Sequence, residues 1–303
     1  MASTPISDDT GGGGSGSRYA LRMGENESAR LPGLDKIERA FEIRDELRDL
    51  LEELLTAEKK YSRRSNMSEA SAPTVWAEWT LDEVPDYTRP SLLMGDVIHN
   101  LRAAMDHALW AITPTRIQTN NPLDVAFPLQ RSVESFKKWL SKRKQWYGPT
   151  VVEVLDSQQP YHAGPDKLHP LHVLQHLSNT DKHRLLNVVA NNAVQMSEVR
   201  VSPYPPGGVK SSVHEGIIEA GEVLARVEFA RPADRGDVDL MPVFAFEQVF
   251  HYVDPTGAER WLQFGEAMNA VCPAVVDAVG YVASAHGKDL NDGWQPQRRA
   301  ATP

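Results

Sequence analysis

The 303-residue sequence has a single cysteine, Cys272. One cysteine excludes an intrachain disulfide framework and any zinc centre made of several thiolates. It fits a reducing cytoplasm and leaves no role for a disulfide-linked partner. Positive charge is also short. Against 41 Asp and Glu there are 32 Lys and Arg, a formal net charge of −9. That excludes a generally basic nucleic-acid coat but permits a local cationic patch. Long apolar runs are scarce. The greasiest stretch, residues 267–285, is interrupted by Pro273 and Asp277, so it reads as a core helix and no membrane partner is expected. The acidic, glycine-rich N-terminus has no apolar segment of the signal-peptide kind. Phosphate loops, dinucleotide fingerprints and nucleophile elbows are missing, and no cofactor is expected.

A more local absence is the most informative. Between Ser91 and Ile112 there is no Lys, Glu or Gln, the residues that normally write the wet side of a helix. The stretch is nonetheless a helix by its period. At ~100° per residue, Val97, Ile98, Leu101, Ala104, Met105, Ala108, Leu109 and Ile112 share one sector. Asp96, His99, Asn100, Arg102, Asp106 and His107 fill most of the other. These are residue types that position, protonate or grip a ligand, and they predict that this flank faces a ligand-holding cleft.

Around that helix the chain reads as α+β, a mainly α-helical bundle with a small antiparallel β-sheet inserted before the C-terminal helix. Residues 1–30, with their GGGGSGS run, are expected as a disordered tail. Residues 31–185 are expected as the bundle, opened by a long amphipathic helix from Leu34 towards Tyr61, with Lys59, Lys60, Arg63 and Arg64 near its end. Within that range Thr74 to Leu81 alternates like a strand. Ser132 to Tyr147 reads as a second polar helix, and HPLHVLQHL from His169 as a third. Residues 186–258 are expected as the β insertion, with strands at Val199–Tyr204, Val213–Glu219, Val223–Phe229 and Val243–Tyr252. The turn DPTG (254–257) then leads into the returning helix at about 260–286, kinked at Pro273, and 287–303 forms a flexible tail.

Arg102 and His107 form an Arg-x4-His pair within the central helix. Here the chain resembles the HEPN superfamily, helical bundles whose nuclease members carry an arginine followed at similar spacing by a histidine. The resemblance implies metal-independent RNA cleavage at a groove between two protomers. His107 would move a proton, Arg102 would stabilise the charged transition state, and the products would be a 2′,3′-cyclic phosphate and a 5′-hydroxyl. His99 and Asp106 lie within ~60° of Arg102 on the helix surface and could orient it. Arg102 and His107 diverge by ~140°, so they meet one phosphate only if a second helix completes the groove, as in a homodimer. An ordinary i,i+4 ion pair between Arg102 and Asp106 is the competing structural reading.

Asp181, Lys182, His183 and Arg184 concentrate charge at a helix end, where the three cations could hold a phosphate or brace the bundle against the sheet. The pairing of GDVIHNLRAAMDH with DKHR is similar to a recurring set of bacterial and phage proteins. That likeness implies one shared site, in which Asn100 and residues 181–184 would bind substrate. Two further clusters stand out. Lys137, Lys138, Lys142, Arg143 and Lys144 interleave with Phe136, Trp139, Trp146 and Tyr147, as a single-stranded RNA surface needs, or as a solvated helix with inward rings also does. His169, His172 and His176 share one helix face, where Asp166 or His162 could complete a metal site, although a structural histidine face is the plainer reading and no metal ligand is assigned.

Three functions therefore remain open: a HEPN-like ribonuclease or RNA-binding protein, a non-catalytic protein or nucleotide interaction module, and a metal-dependent hydrolase built on the histidine helix.

Overall fold

The computed structural model describes residues 31–295, apart from 58, 165–166, 182–187, 190–193, 198, 215, 233–236, 243, 247 and 255. Helix α1 (Leu34–Thr56) starts at Gly33, whose φ of 87° favours glycine and where a Cβ would stand 2.4 Å from the Ala104 carbonyl oxygen. The apolar stripe Ile37, Ala40, Ile43, Leu47 and Leu51 is buried. The helix ends earlier than its pattern predicts. Lys59 Nζ donates to the Leu55 carbonyl at 2.7 Å, so the cation meets the helix end from outside it. Tyr61 to Ser65 then form strand β1, because they pair in register with β2 (Thr74–Leu81) and Tyr61 packs its ring on Phe244 and Phe246.

The central helix α2 runs from Thr88 to Ile112, with Pro90 in its first turn, where the missing N–H costs no hydrogen bond. Its apolar sector is buried against α1, and also against α6 (Pro170–Asp181) and α7 (Phe264–Asn291). Between α2 and α6 lie the short α3 (Thr115–Asn120), α4 (Val133–Ser141) and α5 (Pro149–Ser157). The segment expected as one helix to Tyr147 is thus helical only to Ser141 and continues as turns. Helix α5 is held by a distant carboxylate. Buried Asp289 accepts from the Thr150 and Val151 N–H groups at 3.0 Å each, tying α5 to the end of α7.

Helix α7 continues through Pro273 and has the length and apolarity of a membrane span. Its Val271, Val275, Ala278, Val279 and Val282 are fully buried in the helical core, which identifies it as a core helix. It follows the strands, as the α+β reading requires.

The remaining strands are β3 (Val188–Val189), β4 (Val194–Met196), β5 (Arg200–Ser202), β6 (Val209–Val213), β7 (Val223–Ala230), β8 (Asp237–Asp239), β9 (Phe244–Phe246), β10 (Val249–Val253) and β11 (Glu259–Gln263). The largest sheet has the antiparallel order β1-β2-β7-β6, so it draws strands from before α2 as well as from the later region. A boundary at 186 therefore does not separate helix from sheet. The expected strand at 213–219 is instead β6, ending at Val213. The run Val243–Tyr252 divides into β9, paired with β4, and β10, paired with β11 and β3. The division comes at Gln248, whose side chain donates to the Leu51 carbonyl of α1. Asp254 caps the β10–β11 hairpin before α7 begins: its Oδ1 accepts from the Thr256 and Ala258 N–H groups.

Candidate functional site

Residues 125–131 cross the bundle as an irregular strap, and Phe127, Pro128 and Leu129 are buried. A buried segment without a ladder leaves its peptide groups to be satisfied by side chains. Arg102 Nη2 donates to the Phe127 carbonyl at 2.6 Å, and Asp106 Oδ1 accepts from the Phe127 N–H at 2.8 Å. The same Arg102 and Asp106 atoms join at 3.0 Å, closing a ring. Gln159, fully buried, donates to Pro128 and accepts from the Gln130 N–H, while Gln175 donates to Leu129. Arg102 and Asp106, with side chains 19% and 33% exposed, are thus the first half of a clasp that fixes the strap to α2.

The other α2 candidates divide by direction. Asn100 turns inward and donates to the Asp96 carbonyl at 2.8 Å, a bond within its own helix. His99 and His107 are exposed. They belong to an outer stripe that runs Leu92, Asp96, His99, Ala103, Asp106, His107, Trp110, with Leu92 56% and Trp110 38% exposed. Of the later motif, Asp181 lies against α2. A Cβ at Gly95 would stand 2.6 Å from its Oδ1, so the start of GDVIHN and the start of DKHR meet across the α2–α6 interface. Lys182, His183 and Arg184 lie outside the described residues.

The basic-aromatic segment separates its two ingredients. Trp139 stacks on Phe136 and Tyr147, and the Arg143 guanidinium lies 5.3 Å from the ring centroids of both Trp139 and Trp146 while pairing with Asp124 at 2.9 Å. These rings hold one another. Lys137, Lys138, Lys142 and Lys144 are exposed, with no carboxylate at ion-pair distance among the described residues.

The histidine helix is committed to a tyrosine. His172 Nδ1 meets the Tyr252 hydroxyl of β10 at 2.5 Å, and His176 lies edge-on to the same ring. Burial, then the charge of Arg131, pushes His172 down to about 4, and burial pushes Tyr252 up to about 12, so both are neutral at pH 7. Asp166 lies outside the described residues, and His162 faces Asp156 at 3.6 Å. Among the described residues no three His, Cys, Asp or Glu side chains converge as a metal site would require. Beside His172 is a pocket of about 110 Å³, lined by Arg131, Lys167, His169, His172, Tyr252 and Arg260 among others. In the sequence Tyr252 reads only as a strand aromatic. The 80-residue separation of His172 and Tyr252 carries no periodic signal.

No protein-family model, curated protein or solved structure matches the chain.

Proposed function

We propose that this chain is a HEPN-type RNA-binding protein of the reducing cytoplasm that cleaves RNA, without a metal, as a dimer built across α2. The observation that carries the reading is the outer stripe of α2. Its two exposed imidazoles, His99 and His107, lie four residues on either side of Ala103. A second copy crossing antiparallel at that small residue sets its own His107 opposite His99 of the first, one helical turn from Arg102. Leu92 and Trp110 supply apolar contacts near the ends of such an interface. The four lysines of residues 137–144 offer phosphate contacts for the strand.

In the chemistry proposed, His107 takes the proton of the ribose 2′-hydroxyl as its oxygen attacks the adjacent phosphorus. The 5′-oxygen leaves and receives a proton, giving the cyclic phosphate and the 5′-hydroxyl end. Arg102, already oriented by Asp106, keeps guanidinium N–H groups for the developing charge.

The test is cleavage of a labelled single-stranded RNA in EDTA, alongside sedimentation to read the oligomeric state. Wild type should be a dimer and cleave. His107→Ala should remain a dimer and lose cleavage, and Ala103→Arg should lose both. A monomer that cleaves, or His107→Ala that cleaves at the wild-type rate, overturns the reading. A second reading, binding without turnover, is favoured by Arg102's engagement with the strap, and it would appear as RNA retained by an intact dimer that leaves it uncut.

A further inference from the structure

The pocket beside α6 is a different site from the face of α2, and its chemistry is cationic. It is lined by Arg131 at the end of the strap, Lys167 before α6, and Arg260 on β11. Among the described residues one carboxylate, Asp254, shares the lining, and it is already occupied. Its Oδ1 takes the Thr256 hydroxyl and the Thr256 and Ala258 N–H groups, and its Oδ2 pairs with Arg260 at 3.0 Å. Arg131 and Lys167 have no ion-pair partner among the described residues. Among the described residues, three cations against one spent anion leave an excess of positive charge in a chain whose formal net charge is −9.

The pocket lining also includes a neutral imidazole and phenol. His172 is only 5% exposed, and its Nδ1 is held by the Tyr252 hydroxyl. With imidazole and phenol both neutral, one shared proton makes this bond and Nδ1 is engaged within the chain. The N-terminal turn of the 12-residue helix α6 lies at the same wall, with His169 Nδ1 accepting from the Leu171 N–H. Its dipole favours negative charge there. A metal ion would meet the opposite situation, because the same cations repel it and His172 Nδ1 is taken.

We propose that this pocket binds a phosphoryl dianion, either inorganic phosphate or the terminal phosphate of a phosphomonoester such as a nucleotide or an RNA end. The guanidinium of Arg131 presents a planar fork that fits two phosphate oxygens, and Lys167 supplies a point charge. A volume of about 110 Å³ accommodates one tetrahedral phosphate group and leaves the rest of an ester outside. The site needs neither the second copy nor the α2 face, so it stands or falls apart from the nuclease reading.

Calorimetric titration of the full chain with inorganic phosphate, with adenosine 5′-monophosphate and with adenosine decides it. Phosphate and the monoester should both bind and adenosine should not. A much tighter monoester than free phosphate identifies the ester as the physiological form, and equal affinities identify phosphate. Arg131→Gln and Lys167→Gln alter exposed residues, and each should weaken binding about tenfold or more at unchanged Tm. Adding zinc in place of phosphate should give no saturable heat. Absence of phosphate and monoester binding, binding unchanged in both variants, or stoichiometric zinc uptake abolished by His172→Asn would each overturn the proposal.

Discussion

Two polar clusters, one at Arg102 and one at His172, have opposite fates. Around Arg102 the donors and acceptors meet within the chain: guanidinium to carbonyl, carboxylate to N–H, and the two to each other. Around His172 the imidazole and phenol satisfy one another, while Arg131 and Lys167 on the pocket rim meet no carboxylate among the described residues. The same kinds of side chain thus build architecture in one place and a surplus of charge in the other. What separates the two is whether a buried backbone group needs them. An irregular buried strap must draw on side chains to satisfy its peptide groups. A pocket wall has no such demand.

The comparison breaks most visibly at the strap. Gln159→Leu removes the partners of the buried Pro128 and Leu155 carbonyls and of the half-buried Gln130 N–H. The expected cost is about 3 kcal/mol or more, read by urea unfolding. Asp106→Ala removes the Phe127 N–H acceptor and half of a partly buried ion pair, with an expected loss of about 2 kcal/mol. If Asp106→Ala proves as stable as wild type, the clasp is not what holds the strap. Against these, Arg131→Gln should change stability by less than about 0.5 kcal/mol, as exposed substitutions do.

A middle-sized effect comes from acid. His172 has its folded-state value lowered to about 4, against an ordinary 6.5, with His169 and His286 lowered in the same direction by burial. The unfolded chain therefore binds more protons than the folded one as pH falls from about 6.5 towards 4, and stability declines across that window. Above it these imidazoles are neutral in both states and contribute no slope. Asp254, held down to about 2 first by the Thr256 hydroxyl, acts lower still, losing its contribution as pH falls from about 3.8 towards 2. Unfolding free energies measured from pH 7 to pH 4 should fall less steeply in His172→Asn than in wild type. Parallel curves would mean that His172 titrates normally in the fold.

Much of this arrangement was legible in advance because it is local. The period of α2, the alternation of β2 and the apolar length of α7 are written in neighbouring residues, and the structure places each as a core element. Arg102 and Asp106 were legible as an i,i+4 pair but not as a clasp, since the Phe127 backbone that completes it comes 25 residues after Arg102. Tyr61 looked helical by spacing, yet aromatic partners at 244 and 246 make it an edge strand. Likewise the continuous pattern from 243 to 252 hides a change of sheet, because alternation records which residues are buried and not which strand they pair with.

The smallest effect tests whether the two motif halves truly touch. Glycine inside a helix costs about 1 kcal/mol relative to alanine, so Gly95→Ala in an ordinary helix would stabilise. Here the new Cβ would stand 2.6 Å from Asp181 Oδ1, and the carboxylate must move from its place against α2. Gly95→Ala alone should therefore gain nothing or lose a few tenths of a kcal/mol. In an Asp181→Ala background the obstacle is gone, and the same change should recover most of the propensity gain, about 0.5–1 kcal/mol. The non-additivity between the two is the measurement. Additive effects would mean that Asp181 swings away freely, leaving α2 and the end of α6 as neighbours with no coupling between them.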